Sequence, residues 1–141
     1  MIDTQFLKRC NQTLEEAYKQ LTLSDQKSIQ YDLYRSAVIK EFEVILEQSG
    51  KLLKKILLPY LHSKKALDQL TFKAIFRHAG NYGLLEIGEV ERWMVYRDNR
   101  NLTAHDYGFD LAEKTLPLIP SFVEDVNSLI KIIEKNNAIE N

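Results

Sequence analysis

The sequence predicts an all-α protein, an up-and-down bundle of four or five helices in one domain over residues 1–141. Three observations predict it. Apolar residues recur every three or four positions along most of the chain, the period of one helix face. No alternating apolar–polar run and no Asn-Gly or Asp-Gly hairpin pair occurs. Five glycines and three prolines are few for the many turns of an all-β fold.

The first helix is carried by Phe6, Cys10, Leu14, Ala17 and Leu21, capped by Asp3 or Thr4 and ending near Thr22–Asp25. The second is the longest. Leu33, Ala37, Val38, Glu41, Phe42, Ile45, Ser49, Leu52, Leu53 and Ile56 trace one stripe, with Glu41 and Ser49 at its polar edge. Ile39 and Leu46 begin a second apolar face, which suits a second partner such as another copy of the chain. Pro59 is expected to stop this helix, because proline has no N–H for the ladder. Residues 61–70 read ambiguously, with Lys64 and Lys65 in a solvated loop or short turn.

Thr71 caps a brief helix bearing Phe72, Ile75, Phe76 and Ala79, which stops at Asn81-Tyr82-Gly83. Val90, Trp93, Met94 and Arg97 begin the next helix, which runs into the segment Arg100–Tyr107. Asp110 caps a short turn through Leu116, and Pro117 and Pro120 interrupt the chain. The last helix carries Phe122, Val123, Val126, Leu129, Ile130 and Ile133, and residues 136–141 are expected to fray.

Nineteen basic and twenty acidic residues give a net charge of −1, so no global basicity argues for nucleic acid. Any RNA must be held locally, at a few arginines. The single cysteine, Cys10, excludes an internal disulfide and a cysteine-based zinc cluster, and reads as a core residue. No metal site and no cofactor are expected: there is no H-E-x-x-H pair and no glycine-rich phosphate loop. The opening residues are unlike a signal peptide and no apolar run is long enough for a membrane span, so the expected setting is cytoplasmic.

One segment concentrates chemistry. Between Arg97 and Tyr107 stand two arginines, two asparagines, two aspartates, a histidine and a tyrosine, at the end of a helix. At ~100° per residue, Arg100 and Tyr107 share a face, as do Asp98 and His105. Arg100 and His105 lie roughly 140° apart on a straight helix, so one chain cannot converge both on a small group. Either the helix distorts, or a second copy supplies the complementary residue. The plain alternative is a satisfied polar seam at a helix end.

Arg100-x-x-x-x-His105-x-Tyr107, with Asn101 directly after the arginine, resembles the R-x(4–6)-H motif of the HEPN superfamily. The trailing tyrosine is similar to the form in HEPN toxins whose antitoxin is a minimal nucleotidyltransferase. Arg35–Glu43 with Lys51–Lys54, and Phe72–Ala79 with Gly83-Leu84-Leu85, resemble the second and third helices of the nucleotidyltransferase substrate-binding proteins. The likeness runs nearly the full length. The family often has an aromatic residue where Gln48-Ser49-Gly50 stands, and Gly50 costs ~1 kcal/mol of helix propensity against alanine.

The resemblance implies a homodimeric, metal-independent ribonuclease, with RNA or a nucleotide at the dimer cleft and a minimal nucleotidyltransferase encoded nearby. His105 would be the general acid or base, Arg100 the phosphate clamp, and Asn101 an orienting group. Tyr107 would be the residue adenylylated by the partner. Arg97 and Asp98 are expected to support the site; the seven-residue spacing of Asp98 and His105, and not the resemblance, suggests that Asp98 holds the His105 tautomer. Two other readings stand beside it: a non-catalytic substrate- or nucleotide-binding subunit of a two-chain nucleotidyltransferase, and a helical interaction module.

Overall fold

A computed structural model describes the backbone at residues 1–105 and 109–140, and the side chains at 1–100 and 112–139. The helices are α1 (Gln5–Leu23), α2 (Ile29–Leu61), α3 (Lys64–Asp68), α4 (Phe72–Asn81), α5 (Ile87–His105), α6 (Phe109–Thr115) and α7 (Ile119–Glu140). A 3₁₀ turn, Leu116–Leu118, joins the last two. No strand occurs among the described residues. The expected all-α bundle is present: four long helices, α1, α2, α5 and α7, with shorter ones between.

Cross-contacts set the directions. Ile2 meets Asn137, Lys8 meets Glu134, and Asn11 meets Asn127, so α1 and α7 run antiparallel. Arg92 meets Asp125 and Tyr96 meets Ser121, so α5 and α7 do the same. α4 runs alongside α2, Phe72 facing Gly50 and Tyr60 stacking on Tyr82.

The core holds Leu7, Leu14, Val38, Phe42, Ile45, Leu46, Leu53, Phe76, Trp93, Phe122, Val126, Leu129 and Ile133, all fully enclosed. Two residues assigned to it by periodicity are outside: Phe6 is 56% exposed and Leu33 65%. In α1 the inward stripe passes through Leu7, one position on, because 7-10-14 and 6-10-14 are equally good helical spacings and only the packing partner chooses. Ser49, read as an edge residue, is fully buried, and Glu41 lies beside the enclosed Cys10 thiol.

Pro59 does not end α2. The helix continues to Leu61 and is terminated by His62 in the left-handed conformation, φ 56°. Pro59 is exposed and two residues from the end, where a freed carbonyl can turn to water, so the cost of its missing N–H is small. The Leu61–Leu70 stretch resolves into α3, capped by the Ser63 hydroxyl accepting from the Ala66 N–H. Thr71 caps α4 as expected, and Gly83 (φ +76°) supplies the left-handed residue at its end. At α1 the Thr4 side chain makes no capping hydrogen bond; the Asp3 carboxylate accepts from the Gln5 N–H instead. Asp110 falls inside α6, not before it.

The tail does not fray through residue 139. α7 extends to Glu140, and the Asn137 side chain accepts from the Ile2 N–H (2.9 Å) and donates to the Ile2 carbonyl (2.8 Å). This closes the two ends of the described chain on each other.

Candidate functional site

Aromatic packing fixes the rotation of α5. Trp93 stacks on Phe76 (4.7 Å, 26°) and meets Phe122 edge-on (5.7 Å), while Tyr96 meets Phe122 at 4.9 Å. The Tyr96 hydroxyl donates to Asp125 (2.5 Å) and shares a hydrogen bond with Ser121 (2.9 Å). Arg97 and Arg100 follow Trp93 by four and seven residues, so they lie on the same inward stripe one and two turns further on. They therefore reach across to α2.

Both guanidiniums converge there on one carboxylate. Arg97 Nη1 donates to Glu47 Oε1 at 2.5 Å, and Arg100 Nε lies 3.8 Å from the same oxygen. Arg97 also lies over the Phe72 ring, 4.9 Å from its centroid, a cation–π placement. That ring sits against Gly50, where a Cβ would come within 2.9 Å of it. The glycine that weakens α2 as a helix thus opens the space for Phe72, and Phe72 in turn seats Arg97. Asp98 points the other way, to Lys73 on α4 at 2.5 Å. Asn99 accepts from the buried Thr115 hydroxyl at 2.6 Å, tying α5 to the start of the 3₁₀ turn.

The predicted residues are placed as follows. Arg97 and Arg100 are together, and Asp98 is beside them but engaged by Lys73. Asn101 and His105 lie on α5 by their backbone; their side chains are outside the described residues, and so is Tyr107 altogether. α5 is helical from Ile87 to His105, so the angular separation of Arg100 and His105 stands within one chain. Sequence reasoning missed Glu47, Lys73 and Phe72. Nothing one-dimensional couples position 47 to position 100; a lone exposed glutamate on a long helix carries no signal.

Chemically, two half-buried guanidiniums gather beside one carboxylate. An incoming phosphate can compete for either fork in bidentate geometry. Among the described residues no group of three or more His, Cys, Asp or Glu is placed to hold a metal ion. No described helix is long and apolar enough to cross a membrane.

A four-helix antiparallel core whose third long helix ends in an arginine-rich polar segment defines the class: an all-α bundle with two guanidiniums gathered beside one carboxylate. Comparison with known proteins names the family. The chain belongs to the nucleotidyltransferase substrate binding protein like family, whose model matches residues 3–135. It is 31% identical over 112 residues to the "Probable ribonuclease HepT" of Haemophilus influenzae, covering 79% of this chain and 75% of that protein. In structure it is similar to a Haemophilus influenzae protein described as the fold of a substrate binding domain of a nucleotidyltransferase. The TM-score is 0.78 at 26% identity, over 94% of this chain and 99% of the other. It shares its fold with a Thermus thermophilus protein, with TM-score 0.71 at 24% identity over 90% and 98% of the two chains.

Proposed function

We propose that this protein is the HEPN-type partner of a minimal nucleotidyltransferase in a two-gene toxin–antitoxin-like system, and that it acts as a metal-independent endoribonuclease on tRNA or mRNA. The observation that carries the proposal is the Arg100–Tyr107 segment at the end of α5, in a chain 31% identical to a protein named as a ribonuclease.

In the mechanism, two copies face each other across a cleft, and each supplies what the other's helix turns away. His105 of one copy takes the proton from a ribose 2′-OH, whose oxygen attacks the adjacent phosphorus. The P–O5′ bond breaks, the leaving oxygen is protonated, and a 2′,3′-cyclic phosphate results. Arg100 clamps the phosphate and offsets the charge growing on its oxygens, and Asn101 orients the histidine or a phosphate oxygen. Asp98 faces competition from Lys73 for any role in holding the His105 tautomer. Tyr107 is the acceptor for adenylylation: its oxygen attacks the α-phosphate of a nucleoside triphosphate, pyrophosphate leaves, and the added group blocks the cleft by bulk and charge. The setting is cytoplasmic.

The structural likeness to a nucleotidyltransferase's substrate-binding domain favours a second reading, a non-catalytic subunit in which Arg100 and His105 bind an anion. One experiment separates the two. The chain, purified without its partner, is incubated with tRNA in excess EDTA beside His105→Ala. Cleavage that the variant loses is the expected result. No cleavage at any concentration, with nucleotide or partner binding still lost in Arg100→Ala, assigns the binding subunit. Mass spectrometry after co-expression with the neighbouring nucleotidyltransferase tests Tyr107, and an unmodified tyrosine removes that step.

A further inference from the structure

Residues 51–65 carry Lys51, Lys54, Lys55, Lys64, Lys65 and His62 without a single acid, in a chain whose net charge is −1. The fold does not scatter these charges. α2 and α3 form a groove of about 470 Å³ with Lys51, Lys54, Lys55 and Lys64 on its walls and Leu52, Leu58 and Leu67 beneath. The acid lining it is Asp68, 3.1 Å from Lys54. Lys51, Lys55 and Lys64 have no carboxylate partner among the described residues. The groove also continues: Lys51 and Lys54 line a second hollow of about 220 Å³ that holds Glu47, Phe72 and Arg97. A basic track thus runs from α3 along α2 to the arginines of α5.

We propose that this track is an exosite for the sugar–phosphate backbone of RNA, holding the strand on one side of the scissile phosphate. The inference rests on the nuclease reading and adds where its substrate lies. An RNA strand entering the Arg97–Arg100 site must leave it along some surface. This one begins at Arg97, is concave, and offers unpaired ammonium groups that take phosphates as point charges without reading sequence. The global charge balance hides it because most of the acids, Asp68 and Glu47 apart, line neither hollow.

The test uses the full-length protein, a fluorescein-labelled single-stranded RNA of about twenty nucleotides, and bulk tRNA, with affinity measured against salt concentration. The variant is Lys51→Gln/Lys55→Gln/Lys64→Gln; these side chains are exposed, and a thermal melt matching wild type shows the fold intact. Binding is expected to weaken roughly tenfold or more, with the salt slope reduced by about 2, the value for three lost contacts to single-stranded phosphates. Lys19→Gln/Lys27→Gln/Lys131→Gln should leave both unchanged. The readout is binding and not cleavage, so a failed cleavage assay does not decide the exosite. Wild-type affinity and slope in the triple variant overturn the proposal, as does a wild-type protein that binds neither RNA. Loss of nucleotidyltransferase binding with RNA binding intact also overturns it, assigning the surface to an acidic protein partner.

Discussion

Arg92 grips Asp125 with two parallel hydrogen bonds, Nε to Oδ2 at 2.8 Å and Nη2 to Oδ1 at 2.9 Å, and so locks α5 to α7. Asp125 is 4% exposed and also accepts from the Tyr96 hydroxyl. Its removal takes one of two hydrogen-bond partners from a buried phenol, leaving Ser121, and strands one side of a guanidinium. Asp125→Ala is therefore expected to destabilise the fold by about 2–4 kcal/mol, less than a wholly buried pair because Arg92 is half-exposed. Urea denaturation with an unchanged m-value checks it, and a loss under about 1 kcal/mol would contradict the network.

Gly50→Ala sets two terms against each other. Alanine gains about 1 kcal/mol of helix propensity, but overpacking costs roughly 1–3 kcal/mol when a Cβ must displace a ring held by Phe76 and Arg97. The steric term wins. Stability should fall by about 1 kcal/mol, and Gly50→Leu should fall further. A melting temperature above wild type in either variant refutes the seating of Phe72.

Glu47→Gln tests the proposed anion site. The ion pairs it makes are partly solvent-exposed, so stability should change by less than about 1 kcal/mol. RNA or nucleotide affinity should rise, since Arg97 and Arg100 lose their competing carboxylate. Weaker binding would show that Glu47 positions the arginines and does not compete with the ligand.

Alkaline pH exposes the buried acids. Burial, reinforced by Glu41, pushes the Cys10 thiol from 9.0 up to about 11. Burial and the hydrogen bond to Glu113 push the Tyr31 phenol from 10.0 up to about 12, and burial raises Tyr96 as well. Each folded value exceeds the unfolded one, so the neutral form's contribution is complete below pH 9 and is lost as pH climbs through about 9–12. Denaturation midpoints should hold level to pH 9 and then fall, with Tyr31→Phe flattening the upper part of the decline. At pH 8 Cys10 should react with a disulfide reagent only at the rate of unfolding; fast labelling of the native protein would deny its burial.

Mixed dimers test the shared cleft. Arg100→Ala and His105→Ala homodimers should each be inactive toward RNA, whereas the mixed dimer regains one intact site of the two. A single-chain site predicts no recovery, and an endonuclease assay on co-expressed, doubly tagged protein reads the difference.

Much of this was legible in one dimension. The Thr71 cap, the Gly83 stop and the inward set Trp93, Phe122, Val126 and Ile133 follow from spacing and turn chemistry. Phe6 against Leu7 was not, because two neighbouring stripes share the same period. Pro59 misled because its cost depends on whether the freed carbonyl meets water, a property of depth and not of sequence. Asn137 misled for a related reason: two hydrogen bonds to Ile2 across the whole chain length outweigh the fraying of a polar tail.

The sequence by itself determined the helical class, the order of the elements and the Arg100–Tyr107 motif, since these depend on the period of apolar residues and on residue identity over a few turns. It also determined that positions 100 and 105 are offset by roughly 140° around one helix, because helix pitch is a local constant. Only the tertiary structure decided that Glu47 stands between Arg97 and Arg100, that Gly50 makes room for Phe72, and that the α2 and α3 lysines share one groove. Those facts join residues far apart in the chain or select one face of a helix among several, and such choices are made by packing between helices.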